Sequence, residues 1–110
     1  MVVAIVDDGG HLLLLHRLDD AQLGSISVAI SKAETAVRFR RPTLQFQEAM
    51  AQGAPGIRLL AIPGLLPLAG GVPLVRANAV VGAIGVSGMQ SAEDALIAEI
   101  GASVLHSGTP

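Results

Sequence analysis

A chain of 110 residues has the length of one domain, and with 51% hydrophobic residues it carries enough apolar side chains to build a core. The formal net charge is −2, the only basic run is Arg38, Arg40 and Arg41, and the aromatics are Phe39 and Phe46 alone, which argues against a nucleic-acid-binding surface. The absence of cysteine excludes disulfides, thiolate metal sites and cysteine nucleophiles, and a charged fraction of only 15% predicts surface hidden against other copies of the chain, a homo-oligomer of two or more subunits.

Val2 to Val6 is β-branched and apolar, and Asp7-Asp8-Gly9-Gly10 separates it from Leu12 to Leu15. Asp-Gly between apolar runs predicts a hairpin, with strands over 2–7 and 11–17. The opening "MVVAIVDDGG" lacks the basic and long apolar regions of a secretion signal, so a cytoplasmic protein is expected. Ile26, Ala29, Ile30, Ala33 and Val37 recur at helical spacing and predict a helix over 25–40, capped by Ser25 and stopped by Pro42. Thr43 is placed to cap a short second helix over 44–52 ending at Gly53.

Residues 57–62 read as a third strand. The uncharged run 59–75 is broken by Pro63, Pro67 and Pro73 and by Gly64, Gly70 and Gly71, so it reads as loop and buried strand and not as a membrane span. Strands are predicted over 72–76 and 79–87, joined by "RANA", whose only turn former is Asn78. Ser91 starts a last helix with Glu93 and Asp94 in its first turn, where carboxylates suit the helix dipole. Leu96, Ile97, Ile100 and Val104 are its predicted apolar stripe, and "HSGTP" a frayed tail. This order predicts an α+β domain, one five-stranded antiparallel sheet with helices packed on it.

Each candidate site residue also has a structural explanation. Gly82, Gly85 and Gly88 lie three apart in a strand context, which does not fit the dinucleotide fingerprint; glycine there marks close approach of a helix, a subunit or a ligand. Arg17 beside Asp19 and Asp20 suits a carboxylate ligand and equally a solvated ion pair. Lys32 lies on the flank of the first helix's apolar stripe, where it either snorkels to water or points into a cleft. His11, His16 and His106 have no metal-ligand spacing, so no metal site is predicted, although one histidine or threonine suffices as an axial haem ligand. Ser87 in "GVSG" lacks the elbow motif of a serine hydrolase.

Four stretches, "VAIVDDGGHLLLLHRLDDA", "AISKAETAVRFRRPT", "LAGGVPLV" and "VVGAIGVSG" followed by an S-x-x-D helix, together resemble the GlcG/HbpS family of haem-degrading-like domains, which is similar to the C-terminal part of some PduO-type cobalamin adenosyltransferases. The resemblance runs from Met1 to about Leu105, so residues 1–110 are expected to form a single GlcG/HbpS-like domain. It implies a profilin-like α/β sandwich, oligomers built from dimers, and haem or a related tetrapyrrole as the ligand of some members. The family has a helix before its first strand, whereas this chain begins at the strand, so that helix is expected to be absent. The family motifs carry ligand-binding roles over to Arg17, Lys32, Thr43, Gly70, Gly71 and Ser87, with Asp19 beside Arg17 and with Thr43 as the haem contact.

The leading expectation is therefore a small-ligand-binding protein, with haem as its cofactor if it has one. Beside it stands an isomerase- or tautomerase-type enzyme acting on a small organic acid, in which Arg17 holds a carboxylate and Lys32 or Asp19 moves a proton. An accessory assembly protein is the third reading. A hydrophobic or carboxylate ligand and copies of the chain are the expected partners; nucleic acid and membrane are not.

Overall fold

The computed structural model describes residues 1–18 and 20–107, the last three of these as backbone only. Asp19, and the end of the chain from 108 onward, lie outside the described residues. The first hairpin forms as its sequence predicts. Strand β1, Val2–Asp7, pairs antiparallel with β2, Leu12–Arg17. The turn closes through Asp7, whose N–H donates to the His11 carbonyl at 2.9 Å and whose carboxylate accepts from the N–H groups of Gly9 at 2.9 Å and His11 at 2.8 Å. Gly10 supplies the positive φ, 84°, that a three-residue connection of this kind requires. His11 belongs to this turn, one residue before the strand in which it was expected.

Helix α1, Gly24–Phe39, carries the predicted stripe: Ala29, Ala33 and Val37 are buried, and Ile26 and Ile30 pack half-buried beside them. Its start is not capped by Ser25, which sits inside the first turn; Leu23 holds the cap position without a side-chain hydrogen bond. Its end is a left-handed Arg40, φ 54°, whose N–H bonds to the Ala36 carbonyl two residues ahead of Pro42. Helix α2, Leu44–Ala51, follows. Thr43 precedes it without capping it, because its hydroxyl is engaged elsewhere.

The predicted third strand is not a strand. Residues 54–57 form one helical turn, α3, Ala54–Ile57, and Arg58–Ala61 continue as a 3₁₀ turn. Short apolar runs do not distinguish strand from helix by periodicity. Two local features decide here: Pro55 near the start of the turn, where proline suits a helix, and Gly56, at which a Cβ would strike the Ala49 carbonyl of α2. The sheet accordingly has four strands, not five. Strands β3, Gly71–Arg76, and β4, Ala79–Ser87, complete it in the order β2-β1-β4-β3, all antiparallel. Ala77 and Asn78 both take positive φ, 51° and 65°, so "RANA" is a two-residue primed turn despite its alanine. Pro73 sits within β3, an edge strand, where its missing N–H is tolerated. Helix α4, Ser91–Ser107, runs two residues into the segment expected to fray. No helix among the described residues is long and apolar enough to cross a membrane.

Alternation along β1 sorts the core into two faces. Val2, Ala4 and Val6 are buried under α1, with Ala29, Ala33, Ala36 and Val37. Val3 and Ile5 join Val72, Ile84 and Val86 under Ala98 and Ala102 of α4. The molecule is thus helix, sheet, helix. The glycines of β4 answer for part of this closeness: a Cβ at Gly85 would collide with the Ala29 carbonyl and lie 2.7 Å from the Ala33 nitrogen. A helix backbone, not a ligand, lies against that strand. Of the stripe predicted for α4, only Ile97 packs on the core, and the other three face the other way. Asp94, Ala95, Ala98 and Ala102 are buried, whereas Leu96, Ile100 and Val104 are 58, 59 and 67% exposed.

Two outcomes follow for denaturant melts. Gly85→Ala should cost about 3 kcal/mol, the upper end for overpacking, because the obstructing atoms are backbone. Gly24→Ala, where an added Cβ meets nothing, should instead gain about 0.5 kcal/mol. The hairpin also carries a pH signature. The His11 N–H, followed by the Gly9 N–H and the His11 ring, holds the Asp7 carboxyl below its ordinary 3.8. The stabilisation is complete above 3.8 and is lost as pH falls through the lower folded value. An NMR titration of Asp7 should find its midpoint below 3.8 in the folded protein.

Candidate functional site

The start of β3, the end of β4 and the first turn of α4 meet at one end of the sheet, and α1 passes over them. Lys32, from the middle of α1, is only 2% exposed. Its ammonium donates to the Val86 carbonyl at 2.9 Å and to Asp94 Oδ2 at 3.1 Å. The other carboxylate oxygen of Asp94 accepts the Met89 N–H at 3.0 Å, so one side chain both answers the lysine and holds the turn that enters α4. α1 and α4 pack on opposite faces, and this ion pair joins them around the sheet's end.

The glycines make room for it. Gly70 has φ 128°, and a Cβ there would lie 2.8 Å from the Lys32 Nζ. A Cβ at Gly71 would strike the Lys32 carbonyl oxygen and come within 2.8 Å of Thr43 Cγ2. Thr43, fully buried, accepts the Gly71 N–H on its hydroxyl at 2.8 Å, and its own N–H donates to the Gly71 carbonyl at 2.9 Å. Gly70 extends the ladder by accepting the Val86 N–H at 2.9 Å. Ser87, also buried, shares a cross-strand row with Val2 and Arg17, which places Arg17 on the same face two strands away. The Arg17 guanidinium donates to the Ala21 carbonyl through Nε at 3.2 Å and Nη2 at 2.9 Å, anchoring the turn into α1.

Lys32, Thr43, Gly70, Gly71 and Ser87 thus lie together at one end of the sheet, Arg17 stands two strands away, and Asp19 lies outside the described residues. What they form is a closed polar knot. Thr43 presents no exposed hydroxyl to a metal, and the Lys32 ammonium is closed off from solvent. Asp94 is the member that its sequence signal, a carboxylate in a helix's first turn, did not reveal. The signal lay in Lys32: an ammonium on a buried helix face needs a carboxylate partner. Leu18 and Met89 are exposed, and Met1 lies between their segments, its carbonyl accepting the Leu18 N–H at 2.9 Å and its Cα lying against Gly88; Leu23, just ahead of α1, is exposed as well.

Lys32→Met or Asp94→Asn should each cost about 3–5 kcal/mol in a chemical denaturation, since each strands the opposite charge in the interior. The double variant Lys32→Met/Asp94→Leu should cost far less than the sum, and the shortfall measures the coupling.

Comparison with known proteins gives this arrangement its context. Over 85 residues the chain is 41% identical to Protein GlcG of Escherichia coli K12, covering 77% of this chain and 62% of GlcG, so it spans less than two thirds of that relative's length. A doubly substituted HbpS from Streptomyces reticuli superposes with a TM-score of 0.84 at 40% identity, covering 94% of this chain and 70% of that one. A PduOC:heme complex superposes with a TM-score of 0.81 at 31% identity, covering 93% and 75%. Residues 1–103 match the family described as "Haem degrading protein HbpS-like", and the chain belongs to that family.

Proposed function

We propose that this chain is a small-ligand-binding domain of the HbpS/GlcG type, that its ligand is haem or a related tetrapyrrole, and that it works as a homo-oligomer. The observation that carries the reading is the likeness, over 93% of the chain, to a PduOC solved with heme. The surface around the polar knot suits such a ligand. A tetrapyrrole is flat and apolar with carboxylates on its rim; Leu18, Leu23 and Met89 offer exposed apolar contact, and Arg17 is a guanidinium beside them. The Met89 thioether is a residue type that serves as an axial haem ligand, whereas the Thr43 hydroxyl is committed to Gly71. Lys32 and Asp94 then act from beneath, holding the turn that carries Met89.

One observation favours a second reading, an acid–base enzyme acting on a small organic acid. Lys32 and Asp94 set a proton donor and an acceptor 3.1 Å apart, a pairing that general acid–base chemistry uses. Lys32 is 2% exposed, so a substrate reaches it only through a local opening.

A spectral titration decides between them. The wild-type chain should shift the Soret band at micromolar haem and saturate. Arg17→Ala should weaken the apparent affinity about tenfold, the loss of one charge-assisted hydrogen bond, in a protein shown by circular dichroism to stay folded. An unshifted band in the wild type rejects the haem reading.

A further inference from the structure

The chain is acidic overall, with a formal net charge of −2, yet four of its 7 lysine and arginine residues collect at one corner. Arg38, Arg40 and Arg41 lie where α1 gives way to α2, and Arg58 lies on the segment that packs against α2 at Gly56. All four are exposed. The ion pairs among the described residues are Lys32–Asp94 and Asp7–His11, so none of the four has a carboxylate partner there. A helix C-terminus favours a cation, and Arg38 in the last turn of α1 supplies it. That effect fades beyond the last turn and does not account for the rest of the cluster.

The arginines are held in place. The Arg38 guanidinium lies 5.2 Å from the centroid of the Phe39 ring and donates through Nη1 to the Pro63 carbonyl at 3.2 Å. The Arg41 guanidinium lies 5.7 Å from the centroid of Phe46 and donates through Nε to the Phe39 carbonyl at 3.1 Å. The two rings meet edge to face with centroids 5.5 Å apart, so both guanidinium groups rest on one aromatic pair. Side chains fixed in advance lose less freedom when a partner binds. Between them Arg40 takes φ 54°, in the left-handed region that glycine adopts at least cost. The chain accepts that strain and places a guanidinium there, and strain of this kind collects at functional sites. Residues 57–62, running from Gly56 on α2 to the Pro63 that Arg38 holds, add Ile57 and Leu60, 55 and 65% exposed.

We propose that this corner docks an acidic segment of another protein, its carboxylates on Arg38, Arg40 and Arg41 and its apolar side chains on Ile57 and Leu60. A guanidinium matches a carboxylate in plane and holds both of its oxygens. A nucleic acid fits less well. Single strands stack their bases on open aromatic faces, and here Phe46 is buried and each ring already carries a guanidinium. The negative net charge also opposes a long polyphosphate more than a short segment that meets the arginines alone. The docking surface uses none of the residues of the polar knot, so it stands independently of the ligand reading above.

Fluorescence anisotropy on the full chain tests it. The probe is a labelled decapeptide of glutamate with leucine at every third position; its lysine-for-glutamate counterpart and a single-stranded oligothymidylate are the controls. The wild type should bind the acidic peptide alone, and more weakly as salt rises. Arg40→Gly removes a guanidinium and relieves the left-handed strain at the same position. The variant should therefore melt no lower than the wild type, while its peptide dissociation constant rises about tenfold, the loss of one charge-assisted contact. Arg40→Gly/Arg41→Gln should raise it about a hundredfold. A wild type that does not bind the acidic peptide overturns the proposal, and so does equal binding by Arg40→Gly, which would leave that arginine a helix cap only. Preference for the oligothymidylate assigns the corner to nucleic acid and overturns it. A lower mass for Arg40→Gly than for the wild type at sedimentation equilibrium assigns the corner to a second copy of the chain and overturns it as well.

Discussion

One ammonium–carboxylate contact links the helices on the two faces of the sheet. Lys32 belongs to the helix on one face of the sheet and Asp94 to the helix on the other, and they meet at 3.1 Å in the interior. Burying two charges is costly, and the cost is met only when each finds a complete set of partners. Here each does. The lysine also has the Val86 carbonyl, and the carboxylate also has the Met89 N–H. The pair therefore sets three things at once: the depth of α1 on the sheet, the entry angle of α4, and the shape of the turn between β4 and α4.

The small residues around it follow from the same constraint. A lysine side chain can cross the sheet's end only where strand β3 begins without side chains, at Gly70 and Gly71. α1 can lie low enough for that reach only because Gly85 lets its backbone touch β4. The threonine and the two glycines that the family resemblance marked as ligand residues pack around the buried Lys32 side chain, and the serine is buried in the next strand.

Most of the fold was legible because period and punctuation agreed. Asp-Gly-Gly between apolar runs gave the first hairpin, and the alanine-rich stripe gave α1. The misreadings have distinct physical causes. Residues 57–62 are too short and too apolar for periodicity to separate strand from helix, and Gly56 against α2 settled the matter through a tertiary contact that no local pattern shows. On α4 the largest apolar side chains were taken for the core stripe. Apart from Ile97, alanines are buried instead, because the helix sits close on the sheet and Gly101 already approaches the Ile84 side chain. At the site, the positions were readable and the roles were not, since whether a buried lysine serves a ligand or a carboxylate depends on a partner 62 residues away.

The two borders of the sheet are not alike. Pro73 sits in β3, so that border lacks one N–H of a regular ladder, while β2 carries neither proline nor lysine among its six residues. Recruitment of a further strand by backbone pairing is thereby steered to the β2 side. The proline thus protects one border of the sheet against edge-to-edge association and leaves the other to its own side chains.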